Sequence, residues 1–200
     1  MRARSLARLS SVVVVLVLPA AGAAQTRFDA GVHVSFVGSA EFDTTTTGVG
    51  GRAAWYPSSW IGAEAELTFY PQDFPDGRAF TSSQREGLFG VTVGPRLGWV
   101  RPFARLRPGF VTFAEAPAPF ACILIFPPPL ACQLAAGATL AALDFGGGLQ
   151  LGGSRVFLRV DVGDRMVRYE GPAFDEDREV HTDAFWGHDS RVGIGVGIGF

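Results

Sequence analysis

From residue 27 onward, apolar and polar positions alternate with a period of two in eight stretches, the signature of strands with one greasy and one polar face. The clearest is 60–70, where Ile61, Ala63, Ala65, Leu67 and Phe69 oppose Gly62, Glu64, Glu66 and Thr68. The last, 186–200, sets Val192, Ile194, Val196 and Ile198 against glycines and Arg191 and runs to an aromatic residue, Phe200. The others are expected at 27–37, 47–56, 86–99, 103–113, 139–151 and 156–169. Pro95 lacks an N–H, so the fourth stretch should break or bulge there.

The connections alternate in length. Residues 57–59, 100–102 and 152–155 read as tight turns, whereas 38–46, 71–85, 114–138 and 170–185 are long. An even number of strands with all long loops at one end places both termini at the short-turn end. Trp55, Trp60 and Trp99 also fall beside the short turns, as an interfacial girdle requires.

Composition adds a compartment. Arg2, Arg4 and Arg8 precede an apolar run, Val12 to Leu18, and small residues up to Ala24, so residues 1–24 read as a removed export signal, too short for the ~20 residues of a spanning helix. The remainder, 25–200, is 

expected to form one domain. The chain is 48% hydrophobic with 26 glycines, yet after the signal no apolar stretch is long enough for a membrane helix. A membrane protein without such helices must be a closed barrel. With 17 basic residues, all arginine, against 19 acids, and three of those arginines in the signal, nucleic acid is not expected as a partner.

Together, the signal, the eight alternating segments, the loop asymmetry and the terminal Phe200 resemble the eight-stranded outer-membrane β-barrels of the OmpA and OmpX type across 27–200. The resemblance implies an all-β fold, an eight-stranded antiparallel up-and-down transmembrane β-barrel in the outer membrane, monomeric, in contact with outer-membrane lipid and lipopolysaccharide. It also implies that Phe200, Ile198, Val196 and Ile194 form the signal read by the barrel-insertion machinery. No cofactor and no metal are expected, nor a following cell-wall-binding domain.

If the apolar face meets lipid, the opposite parity points into the lumen. There lie Arg52, Glu64, Glu66, Arg96, Arg105, Arg107, Asp144, Arg159, Asp161 and Arg191. An eight-stranded barrel is only just wide enough to be filled by side chains, and charges withdrawn from water must be paired. A connected network that fills and rigidifies the lumen is expected; the rival is a narrow ion or solute path through the same charges. Cys122 and Cys132 flank an apolar, proline-rich stretch in the longest loop and are expected to form a disulfide in an oxidising compartment. That loop either packs onto the barrel mouth, contacts the outer leaflet or binds a partner.

His188-Asp189-Ser190 is similar in spacing to the His-x-Ser of lipid A deacylases, which place an acid downstream to orient the histidine. No acid follows Asp189, so the pair reads as a rim hydrogen-bonding pair and the chain as a non-enzyme. His33 and His181 are isolated, and the acidic run Asp175 to Asp177 reads as a solvated loop. The expected function is a structural and surface-interaction role in the envelope. A lipid-modifying enzyme and a secreted lipocalin-like carrier are the remaining alternatives, the latter opposed by the charged parity and by Phe200.

Overall fold

The computed structural model describes residues 27–71, 83–115, 126–153, 155–174 and 180–200; the expected export signal, Cys122 and the acidic run lie outside these residues. The alternating stretches form β1 (Arg27–Ser39), β2 (Thr44–Tyr56), β3 (Ile61–Tyr70), β4 (Gln84–Val93), β5 (Val100–Phe113), β6 (Ala138–Gly152), β7 (Val156–Tyr169) and β10 (Phe185–Gly199). Between them come α1 (Leu130–Ala135) and a two-stranded ribbon, β8 (Ala173–Phe174) with β9 (Val180–His181). The eight long strands close into a single antiparallel barrel in which each pairs with its sequence neighbour and β10 pairs with β1. Beyond that seam, Phe28 and Phe200 exchange two backbone N–H···O bonds of 2.9 Å each, and their rings stack with centroids 6.4 Å apart.

The polar parity is inside. Along β3, Glu64, Glu66 and Thr68 are buried while Ile61, Leu67 and Phe69 are exposed. Leu67 is 68% exposed, Arg107 and Asp144 0%. In water each such exposed side chain would forgo roughly 1.5–3 kcal/mol of burial, so the wall is built for an apolar surround. Aromatic residues stand at both ends of it: Phe28, Trp55, Trp99 and Phe200 beside the short turns, Phe36, Phe69, Phe110 and Trp186 toward the loops, all exposed. From Phe28 to Phe36 the strand advances about 26 Å, or about 20 Å in height at a tilt of ~40°, close to the ~25 Å apolar band of such barrels.

Three boundaries differ from expectation. Residues 38–46 are not a long loop, because Thr44 to Thr46 pair with Val37 to Ser39 and leave only 40–43 as a turn; β-branched threonines suit a pleated surface and extend the ladder. The fourth strand ends at Val93 rather than passing through Pro95, whose missing N–H stops the pairing. Residues 94–99 make the turn, and Val100 already belongs to β5. The longest loop carries a helix, α1, which periodicity had not suggested.

Candidate functional site

Inside the barrel, large side chains fit because glycines on neighbouring strands yield space. A Cβ on Gly62 would lie 2.3 Å from the Tyr56 ring, and one on Gly193 would lie 2.8 Å from an Asp161 oxygen. Arginines and carboxylates occupy the middle of the lumen. Arg107, at its centre, donates through Nη1 to Glu64 (3.2 Å) and Glu66 (2.8 Å) and through Nε to Asp144 (3.0 Å). Arg159 holds Glu64 through both terminal nitrogens (3.0 and 3.2 Å) and Asp161 through Nε (3.2 Å). Arg105 joins Asp144 (2.8 Å) to Asp161, and Arg191 joins Glu66 to Glu86 (3.0 Å).

Seven of the expected lumen residues thus reach one another through shared partners, with Arg191 the eighth. Arg52 lies beside them with its guanidinium over the Phe157 ring, 5.9 Å from the centroid, and among the described residues it makes no ion pair. Arg96 is not in the lumen. It follows the end of β4 in the short turn, where its Nη2 donates to the Gly153 carbonyl at 3.2 Å.

Several participants had not been anticipated. Arg165 binds Asp189 (2.6 Å) and Glu86 (2.9 Å), extending the network toward the loops. Near the short turns Asp29 takes bonds from Arg27 (2.6 Å) and Gln150 (3.2 Å). Arg101 lies 3.8 Å over Tyr56, while its Nε and Nη2 are buried with no hydrogen-bond partner among the described residues. All of them share the inward parity of their strands.

Toward the loops the lumen turns apolar. Leu88, Val111, Phe113, Leu140, Val167 and Tyr169 form a cap, and Leu130 and Leu134 of α1 press onto it, 1% and 4% exposed. Gln133 ties the helix to the Pro172 carbonyl at 2.7 Å. Part of the longest loop therefore packs onto the barrel mouth.

Comparison with known proteins finds no matching family model and no matching curated protein. Among solved structures, Neisserial surface protein A is similar at 11% identity, covering 86% of this chain and 96% of that one, with a TM-score of 0.50. The outer membrane protein OprG of Pseudomonas aeruginosa (12% identity, 88% and 96% covered, TM-score 0.48) and Ail, the attachment invasion locus protein of Yersinia pestis (11%, 88% and 99%, 0.44), are also similar. The chain has the fold of an eight-stranded outer-membrane β-barrel.

On the outside of this barrel, near its loop end, lies a groove of about 600 Å³ between the first hairpin and the β7–β10 pair. His188 and Ser190 face it from β10, and Asp164 from β7. His188 Nδ1 is 2.7 Å from Asp164 Oδ2, and Ser190 donates to the Gly38 carbonyl at 3.3 Å. The sequence comparison had looked for an acid downstream of His188; the acid at its imidazole comes from upstream, across the sheet. Cys132 lies in α1, while Cys122 lies outside the described residues, so the expected disulfide stays an expectation.

Proposed function

We propose that residues 25–200 form a monomeric outer-membrane barrel with a structural and surface-interaction role in the cell envelope, exported by means of residues 1–24. Its partners are outer-membrane lipid and lipopolysaccharide along the wall, and the insertion machinery at the strand ending in Ile194, Val196, Ile198 and Phe200. The observation that carries this reading is the central lumen plug, in which Arg107 binds both Glu64 and Asp144 and none of the three side chains has any solvent exposure. Ions crossing the barrel would have to part charge-assisted hydrogen bonds in a low-dielectric space, which supports a scaffold over a channel. The α1 cap adds a second, apolar obstruction. Similarity of fold to Neisserial surface protein A supports the same placement.

The test is conductance in planar bilayers, using chain shown to be folded by its faster migration on an unboiled gel. No discrete steps are expected from the wild type. Regular steps whose size changes in Arg107→Ala would replace this reading with the narrow pore. Cell fractionation that leaves the chain outside the outer membrane would remove the membrane assignment itself.

A further inference from the structure

The two ends of the barrel carry opposite charge. At the loop end the exposed or half-exposed Glu41, Asp43, Glu115, Glu170 and Asp183 outnumber Arg85 and Arg168. At the short-turn end Arg96 and Arg155 reach the surface, and among the described residues no acid does, because Asp29 is buried and held by Arg27 at 2.6 Å.

Hydrogen bonds join the neighbouring short turns into one platform. Gly98, at φ +63°, takes the first central position of a two-residue turn closed by Leu97 and Val100 (2.8 and 3.1 Å), a place that favours glycine. Its other central residue, Trp99, accepts from the Gly152 N–H at 2.8 Å, and Arg96 Nη2 donates to the Gly153 carbonyl at 3.2 Å. Two residues on, the Arg155 carbonyl accepts from the Gly199 N–H at 2.9 Å. Arg96 is thus fixed beside the turn that carries Arg155, which is exposed and makes no ion pair among the described residues. Apolar wall begins at the next position: Val156 and Ile198 lie opposite each other, Leu158 continues the strip, and all three are exposed. Trp99 on the β5 side and Phe200 on the β10 side, both exposed, flank this β6–β7 turn.

We propose that Arg96 and Arg155 bind the phosphate of an anionic phospholipid of the inner leaflet, whose acyl chains lie along Val156, Leu158 and Ile198. Guanidinium forks suit phosphate oxygens, and no exposed carboxylate competes for them at this end. The apolar strip starts one residue from Arg155, so a headgroup and its chains are engaged together, while the flanking aromatic rings suit the level of the interface. A zwitterionic lipid offers the same phosphate but brings a cation that the two arginines repel, which makes the site selective for net negative charge. The choice of leaflet rests on the outer-membrane reading, with the short turns facing the periplasm; the pairing of arginine with phosphate does not.

The test uses the full chain folded in detergent, with folding of every variant checked by gel migration. Phosphatidylglycerol and phosphatidylcholine with the same acyl chains are added in equal amounts, and native mass spectrometry counts the lipid that the barrel keeps. Wild type should keep phosphatidylglycerol over phosphatidylcholine by at least about tenfold. Arg96→Gln combined with Arg155→Gln should abolish the preference; glutamine at 96 can still donate to the Gly153 carbonyl, so the platform is retained. Arg85→Gln combined with Arg168→Gln removes the same charge from the loop end and should leave the preference unchanged. Folded wild type without a preference overturns the proposal, as does a preference that survives the first pair or falls equally with the second. Loss of the preference on adding inorganic phosphate at the concentration of the lipid would make this a site for the free anion and overturn the lipid assignment. Every outcome is read on folded barrels, so none bears on the fold, whereas recovery of the chain outside the outer membrane would remove the leaflet and leave the binding result intact.

Discussion

Arg107 Nη2 lies 2.8 Å from Asp144 Oδ2, and neither side chain has any solvent exposure. A guanidinium in this position, itself on β5, bridges three carboxylates from two other strands, since Glu64 and Glu66 come from β3 and Asp144 from β6. Arginine suits the task because its planar fork donates in several directions at once, which a lysine ammonium cannot reproduce.

Arg107→Ala should be among the most damaging single changes in the barrel. It leaves buried carboxylates short of a counter-charge, a loss of about 3–5 kcal/mol. Urea unfolding in detergent micelles, followed by tryptophan fluorescence, measures it. Arg107→Lys should recover only part of the loss, and full recovery would show that charge alone suffices.

Arg101 offers the contrast. Among the described residues its Nε and Nη2 are buried without hydrogen-bond partners, and its guanidinium lies over the face of Tyr56 at 3.8 Å. Arg101→Met keeps the packing and removes the unsatisfied donors, so the same unfolding experiment should show a change within about 1 kcal/mol. A loss as large as that of Arg107→Ala would mean that the inferred difference between paired and unpaired arginines is wrong.

The α1 cap should be separable from the barrel. Leu134→Ala removes a buried side chain that meets the lumen cap, a local loss of about 2–5 kcal/mol. Limited proteolysis within 114–137 should speed up at least about tenfold, while the unboiled gel band stays where it was. A closed disulfide between Cys122 and Cys132 should slow the same cleavage, and reduction should restore it.

At the seam, Phe200→Ala removes the ring stacked on Phe28 while leaving the backbone bonds available. The expected equilibrium effect is about 1 kcal/mol. Refolding yield into lipid vesicles should fall by more than that figure suggests if Phe200 also guides insertion. Equal yields for the two chains would confine Phe200 to its ring contact.

Strand number, antiparallel order and the inward parity of Glu64, Glu66, Arg105, Arg107, Asp144, Arg159, Asp161 and Arg191 were legible in the sequence. Each strand has a two-residue period, and a closed barrel turns that local alternation into a global inside and outside. Ends of strands were not legible, which is why Thr44 to Thr46 joined β2 and Arg96 fell into a turn: pairing with a neighbour, not local pattern, decides where a ladder stops. Which arginine meets which carboxylate was also beyond reach, because partners such as Arg159 and Glu64 are 95 residues apart and meet only after closure. The same holds for Asp164 and His188. Their strands are neighbours, but their diagonal contact depends on a register that only the tertiary structure sets.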